Sequence, residues 1–379
     1  MIDHLEITNF KAFASADIRL APFTLLSGLN SSGKSTVLQA LALLRQGVSS
    51  LQDVDEDGGL PLNGELVELG TGQDVLHEDY IAEPGEVAEV GFRLTAEPAR
   101  VYECRLLYGR DDDYLFLSYL SPSTLDQAED GDALTAFTLF NSGFQYLRAD
   151  RISPAATYPR SEQMSVRRRF LGTRGEYAVD FLRNHLDESV PATLRHEGAS
   201  PRLLEQVEAW MSEICPGVRI EAAVIEHTDL VRLGFQFART GHPVSGPRRP
   251  TNVGFGLTYV LPIVIACLTA TPGSMILLEN PEAHVHPQGQ SAMARLACAA
   301  AGIGAQLVVE THSDHILNGV RLAVKRQVLP ADRVALHYFK REDDGIHITT
   351  PAVGPDGMLS EWPPGFFDEW DRSLDQLLE

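Results

Sequence analysis

The sequence predicts an α/β protein with a mostly parallel core sheet, an inserted antiparallel β-rich lobe and a helical lobe. Three observations carry this reading. A strand, a glycine-rich loop and a helix follow one another over residues 23–45. Helix and strand patterns alternate over residues 257–339, as a parallel sheet covered on both faces requires. Between them, residues 87–147 hold short β-prone runs joined by turn-forming stretches such as Gly109-Arg110-Asp111-Asp112-Asp113, the pattern of an antiparallel sheet.

Residues 3–26 alternate as strands do, with Leu5, Ile7 and Phe10, then Ile18, Leu20, Phe23 and Leu25 as the apolar set. Phe23-Thr24-Leu25-Leu26 runs into Gly28-Leu29-Asn30-Ser31-Ser32-Gly33-Lys34-Ser35, which fits G-x-x-x-x-G-K-[ST]. Thr36 to Arg45 follows, with Val37, Leu38, Leu41 and Leu44 among good helix formers. This order is what phosphate chemistry needs. The glycines let backbone N–H groups turn inward, and the helix N-terminus adds its positive end. Asn30, Ser31, Ser32, Gly33 and Thr36 are then expected around the phosphates, Lys34 on the β- and γ-phosphates, and the Ser35 hydroxyl on Mg²⁺.

Residues 47–85, rich in Gly, Asp and Glu, read as loops with short elements. Strands are expected at 87–94, 101–108, 114–120, 136–140 and 144–147, all within the inserted sheet. Residues 151–172 read as loop, Glu176–Leu186 and Arg202–Ile214 as helices, and Val218–Ile225 with Leu230–Phe237 as a hairpin. The closing α/β pattern is helix Leu257–Thr269, strand Ser274–Leu278, helix Gln288–Ala300, strand Gln306–Val309, helix Asp314–Arg326 and strand Val334–Phe339. No internal repeat and no sustained heptad pattern is present.

Met275-Ile276-Leu277-Leu278-Glu279 is an apolar strand ending in a carboxylate, where a Mg²⁺-organising acid belongs after a phosphate loop. Asn280-Pro281-Glu282-Ala283-His284-Val285-His286-Pro287 follows, and Glu310-Thr311-His312-Ser313 closes the next strand pattern. His284 and His286 form an i, i+2 pair near Glu282, but no third metal ligand stands nearby in sequence.

At this point the chain resembles the ABC-type ATPases of the SMC-like and OLD-like (overcoming-lysogenization-defect) branch, often found in bacterial defence systems. Ile7-Thr8-Asn9-Phe10-Lys11 resembles the N-terminal strand motif, Gly28–Thr36 the Walker A motif, and Asn252-Val253-Gly254-Phe255-Gly256 the degenerate signature of that branch. Glu279–Pro287 resembles Walker B with the D-loop, and His312 matches the switch histidine. Leu147–Pro154, and Asp356-Gly357 with Trp362-Pro363-Pro364-Gly365-Phe366-Phe367-Asp368, look like a subgroup that carries a tail domain of unknown function.

The resemblance implies a P-loop ABC-type head over residues 1–350, with core segments at about 1–50 and 250–350 and lobes inserted over about 75–240, then a tail at 351–379. It implies ATP and Mg²⁺ as cofactors. Lys11 would touch the phosphates, Glu279 and Ser35 would organise Mg²⁺, and Gln73 would serve as the Q-loop residue. Asn252, Gly254 and Gly256 would present donors to the γ-phosphate held by a second copy, so that ATP glues a homodimer. One position departs from the pattern. Asn280 stands where the family carries the glutamate that orients the attacking water, and asparagine cannot accept a proton. Glu282 is the preferred substitute base, and His312 can orient the same water. The alternative is slow hydrolysis in a nucleotide-gated clamp.

The implied function is an ATPase switch that controls a separate effector, such as a nuclease, in nucleic-acid surveillance or bacterial antiviral defence. A second reading is an OLD-like DNA nuclease in its own right. Its Toprim unit needs a Glu and an Asp-x-Asp pair, whereas Glu342-Asp343-Asp344-Gly345 reads as a hairpin turn. A transporter's ATPase subunit would carry an LSGGQ-like signature and a Walker B glutamate, and the sequence has neither.

Composition sets outer bounds. A net charge of −21 over 379 residues argues against a uniformly DNA-coating surface. Local basic patches remain as a route to nucleic acid: Arg167-Arg168-Arg169, Arg248-Arg249, and Arg321 with Lys325-Arg326. Arg148 and Arg151 could bind phosphate or pair with carboxylates, and in an acidic chain pairing is the favoured reading. Cys104, Cys215, Cys267 and Cys298 form no C-x-x-C, which suggests buried thiols in a reducing compartment. The acidic Met1-Ile2-Asp3-His4 start lacks a signal h-region. Leu257 to Ala270 is too short for a bilayer span of about 20 apolar residues. The expectation is a cytoplasmic chain with no membrane partner.

Overall fold

The computed structural model describes residues 1–52, 58–80, 87–96, 100–121, 134, 137–238, 241, 243–343 and 345–378. β1 (His4–Phe10) and β2 (Phe13–Arg19) form an antiparallel hairpin. β3 (Phe23–Gly28) leaves for a second sheet and delivers the glycine-rich loop to α1 (Lys34–Gln52). After β4 (Gly59–Pro61) and the single turn α2 (Gly72–Val75), the chain adds β5 (Glu89–Ala96), β6 (Arg100–Leu107) and β7 (Tyr114–Leu120). The result is a six-stranded antiparallel sheet in the order β2-β1-β5-β6-β7-β4. Val90, Phe92, Leu94 and Ala96 alternate inward along β5, the period-two face such a sheet turns to its core.

Two expected strands of this lobe come out differently. Thr138–Phe140 is a 3₁₀ turn, and Ala136 lies outside the described residues. Thr138 is buried with its hydroxyl donating to the Gln306 amide oxygen at 2.5 Å, so this stretch meets its polar needs without a strand partner. β8 (Phe144–Leu147) is a strand, but it pairs in parallel with the core sheet. All four of its residues are buried, which a half-solvated antiparallel sheet would not provide.

The helical lobe holds β9 (Tyr158–Pro159), α3 (Ala178–His185), α4 (Leu203–Ser212), and the hairpin β10 (Val218–Val224) with β11 (Leu230–Phe237). The sequence read residues 151–172 as loop; they contain β9, on the edge of that hairpin, and a π-type turn at Gln163–Arg167. The chain then returns to the core through α5 (Phe255–Leu268), β12 (Met275–Glu279), α6 (Pro287–Gly302), β13 (Gln306–Glu310), α7 (Asp314–Lys325), β14 (Val334–Glu342) and β15 (Gly345–Thr349), with α8 (Glu369–Leu378) last. The core sheet runs β15-β14-β3-β13-β12-β8, parallel except for β15.

This sheet separates two apolar cores. Met275, Leu277 and Val308 pack toward Val37, Leu38 and Leu41 of α1 and the antiparallel sheet. Ile276, Leu278, Leu307 and Val309 pack toward α5, α6 and α7. Alternate residues of each strand therefore feed opposite layers. α5 is apolar all round because it lies inside the second core, with eleven buried residues, and it is the apolar run near Leu257–Ala270. Among the described residues no helix is long and apolar enough to cross a membrane. The four cysteines are free thiols; Cys104, Cys267 and Cys298 are buried and Cys215 is half-buried.

A buried aromatic helps pin the tail to the core. Phe366 is fully buried, with ring centroids 5.4 Å from Tyr338, 5.5 Å from Trp362 and 4.9 Å from Phe367. Gly365 approaches so closely that a Cβ there would lie 2.5 Å from the Tyr338 hydroxyl oxygen. Phe366→Ala should cost about 3–5 kcal/mol, the range for emptying a buried phenylalanine site, measured as a lower denaturation midpoint.

Candidate functional site

The glycine-rich loop is built by strain that only its glycines and short polar residues tolerate. Gly28 (φ +149°) lies where a Cβ would stand 2.2 Å from the Phe339 carbonyl oxygen of β14. Gly33 (φ +93°) faces the Phe13 ring, and Ser31 also has positive φ. Lys34 is buried and donates to the Gly28 and Leu29 carbonyl oxygens at 3.0 and 2.6 Å. Burial holds its ammonium below its usual pKa, with Glu310 pulling the other way. The loop opens into a cleft of about 480 Å³ lined by Lys11, Asn30 to Thr36, Gln39, Asn280, Glu310 and His312, with Ala12 completing the wall.

Strand order decides which acid reaches this cleft. β13 lies between β12 and β3, with Glu279 paired to Glu310 and Glu310 to Leu26. The Ser35 hydroxyl donates to Glu310 Oε1 at 3.0 Å, and Lys34 Nζ stands 4.0 Å from the same oxygen. Burial pushes the Glu310 carboxyl up to about 7, the nearby Glu279 adds to the rise, and Ser35 and Lys34 oppose it. Glu279, expected on the metal, lies one strand further from the loop strand and outside the cleft lining. Its Oε1 accepts from the Tyr146 hydroxyl at 2.5 Å and its Oε2 from the Ala149 N–H at 2.9 Å.

Behind this strand end sits Arg151, 1% exposed. Instead of pairing with a carboxylate, as the sequence suggested, it donates to three backbone carbonyls: Arg148 at 2.9 Å, Glu279 at 2.7 Å and Asn280 at 2.6 Å. Its guanidinium lies 5.5 Å from the centre of the Tyr259 ring, and burial pulls its pKa down to about 10. Arg148 does pair with Asp150, at 3.1 Å. Arg151→Met leaves three carbonyls without their charged donor. Each such bond is worth about 1.5–3 kcal/mol, so we expect at least about 3 kcal/mol of lost stability by denaturant titration.

The turn after β12 and the segment after β13 interlock. Asn280 has φ +41° and its N–H donates to the Glu310 carbonyl at 2.9 Å. Glu282 is not in the cleft wall. Its two oxygens accept from the Thr311 hydroxyl at 2.7 Å and from the His312 N–H at 2.8 Å. His312 lines the cleft, with burial and the Lys34 charge lowering its pKa against Glu282. Ser313 then caps α7, accepting from the N–H groups of His315 and Ile316 at 3.1 Å.

The other expected positions lie elsewhere. Gln73 is exposed on α2 and outside the cleft lining, although the neighbouring Val75 carbonyl accepts from the Lys11 N–H at 2.7 Å. Gln39, one helical turn beyond Ser35, lines the cleft instead. Asn252 and Gly254 are exposed before α5, away from this chain's own cleft. Gly256 packs under the His284 carbonyl, where a Cβ would be 2.5 Å from the oxygen. His284 stacks among Phe255 and Tyr259, and His286 caps α6. Among the described residues no group of three or more His, Cys, Asp or Glu is placed to share a metal. Arg167, Arg168 and Arg169 pair with Glu162, Glu65 and Glu188.

The comparisons with known proteins agree with this architecture. A family model described as "AAA domain, putative AbiEii toxin, Type IV TA system" matches residues 23–318. A second, described as a protein of unknown function (DUF3696), matches residues 329–377. An OLD nuclease from Thermus scotoductus is 23% identical over 370 residues, covering 90% of this chain. The chain spans 65% of that relative's length. The structure of an SMC head bound to the C-winged helix domain of ScpA superposes with a TM-score of 0.53 at 16% identity, covering 93% of this chain and 98% of its own. An SMC head with an extended coiled coil, bound to the C-terminal domain of ScpA derived from Pyrococcus furiosus, gives 0.50 at 14% identity, covering 100% and 99%.

Proposed function

The chain belongs to the AAA-domain family whose model spans residues 23–318, and on that premise we propose that it binds ATP at the Gly28–Thr36 loop, hydrolyses it, and uses the cycle to control a partner. The observation that carries this reading is the convergence of Lys34, Ser35, Asn280, Glu310 and His312 on one cleft at the N-terminus of α1. The inward N–H groups of the loop bind the triphosphate, and Lys34 exchanges its two carbonyl partners for phosphate oxygens. A divalent cation bound with the nucleotide supplies charge neutralisation at the transferred phosphoryl group, and the Ser35 hydroxyl is placed to hold it.

For the attacking water we assign His312 and Asn280, the two groups of the turns after β12 and β13 that line the cleft. Glu282 holds His312 in place through the backbone N–H bond and through Thr311. This replaces the expectation that Glu282 is itself the base.

Asn252, Gly254 and Gly256 stand exposed or half-exposed away from the cleft, which suits a role on the nucleotide of a second copy. The proposed cycle is an ATP-held homodimer that opens after hydrolysis and acts on a separate effector, in nucleic-acid surveillance or antiviral defence. Light scattering tests it: mass should double with ATP and metal and fall back as ATP is consumed. A mass unchanged by bound ATP contradicts the dimer. The subgroup reading of the tail rests on the second family match at residues 329–377.

The nuclease relative favours one further reading, in which this chain cuts DNA itself. Against it, Glu342 pairs with Gly345 across the turn between β14 and β15, and its carboxylate is bonded by Lys340 at 2.7 Å. Nicking of supercoiled plasmid by the purified chain with Mg²⁺ would support the nuclease reading.

A further inference from the structure

The end of β13 holds an acid whose position the phosphate-loop motif alone does not explain. Glu310 is 6% exposed, and its Oε1 accepts from Ser35 while its Oε2 is buried with no hydrogen-bond partner. The Asn280 side-chain oxygen, in the wall of the same cleft, is also buried and unpartnered. Two buried, unpartnered oxygens on residues that line one polar cleft are costly when nothing satisfies them. Glu279 has no such deficit, since Tyr146 and Ala149 occupy both of its oxygens.

The geometry points to Glu310, with Ser35 and the Asn280 oxygen, as the group that organises the nucleotide's divalent cation in place of Glu279. The donor set suits a hard cation: all oxygen, one carboxylate, and room for phosphate oxygens and water, the pattern by which Mg²⁺ is commonly held beside a nucleotide. The lateral order of the strands gives the reason. β13 is one strand nearer to β3 than β12 is, and the pairing of Glu279 with Glu310 and of Glu310 with Leu26 sets Glu310 between Glu279 and the loop strand. Glu279 is left to tie the segment after β8 to the end of β12, a junction that Arg151 reinforces from behind.

This inference rests on the ATP-binding reading, and the test separates the two. Mn²⁺ serves as a spin-active probe in place of Mg²⁺, and ATP affinity is measured with Mn²⁺ and in chelator. Wild type, Glu310→Gln, Glu310→Asp and Glu279→Gln are compared. Loss of an outer partner of a metal ligand costs about 10–100-fold in metal affinity, so loss of a direct ligand should cost at least about tenfold. Glu310→Gln should therefore weaken Mn²⁺ binding to the ATP complex by that factor and change the bound Mn²⁺ spectrum, while ATP affinity in chelator stays within about twofold. Glu310→Asp, which keeps the carboxylate, should recover part of the loss. Glu279→Gln should leave Mn²⁺ affinity within about threefold. The opposite pattern, with Glu279→Gln abolishing bound Mn²⁺ and Glu310→Gln neutral, overturns the inference while ATP binding stands. A wild type that binds no ATP in either condition overturns the nucleotide reading and this one together.

Discussion

Lys34→Ala should abolish nucleotide binding, lowering ATP affinity by at least about 100-fold and taking turnover with it. The side chain is 3% exposed and is held by the carbonyl oxygens of Gly28 and Leu29, so it is already desolvated and aimed into the loop. Burial has already been met in the folded protein, and a phosphate oxygen offers Lys34 a charged acceptor in place of two neutral ones. Charge-assisted bonds are roughly twice as strong as neutral ones. Two such bonds lost at about 1.5–3 kcal/mol each correspond to about 100-fold or more. Calorimetric titration with ATP measures it, and a variant that keeps wild-type affinity would remove this loop from the nucleotide site. Removing Lys34 also relieves Glu310 of its nearest cation, so folding should be checked by thermal melting.

His312→Ala should lower turnover by about 10²–10⁴-fold with ATP affinity nearly unchanged, the contribution expected of a positioned proton-transfer or water-orienting group. The companion substitution Glu282→Gln should cost less than about tenfold. Glutamine keeps an oxygen to accept the His312 N–H, and its amide N–H₂ can donate to the Thr311 hydroxyl oxygen, so His312 stays in place. The comparison of the two is decisive. A dead Glu282→Gln beside an active His312→Ala would make Glu282 the base, as the sequence alone suggested.

Particular residues show what the sequence could and could not reveal. The loop from Gly28 to Thr36 was legible because its chemistry is local: strand, glycines, lysine and hydroxyl are contiguous, and the structure sets all but the first two residues in one cleft. The alternating apolar pattern of β5 and the fully apolar α5 were legible for the same reason, since period and run length are properties of a short window. The sequence places Glu310 in a motif without assigning it a role. Its role comes from the placement of β13 between β12 and β3, and lateral strand order is not written in any window. The sequence reads β8 as part of the insertion for the same reason: a four-residue buried run does not say which sheet it joins. The sequence suggests a carboxylate partner for Arg151; two of its three carbonyl partners, Glu279 and Asn280, lie more than a hundred residues away. Residue type and neighbourhood point to Gln73 in the sequence, and α2 leaves it exposed.

We propose that this chain turns over ATP although Asn280 stands where the family carries a glutamate. Phosphate release by purified wild type with Mg²⁺ and saturating ATP, run beside Asn280→Glu in the same assay, tests it most directly. Clear turnover by wild type is expected, abolished by Lys34→Ala, with Asn280→Glu adding little. Tight ATP binding without phosphate release by wild type, and release restored by Asn280→Glu, would contradict it and leave a nucleotide-gated clamp.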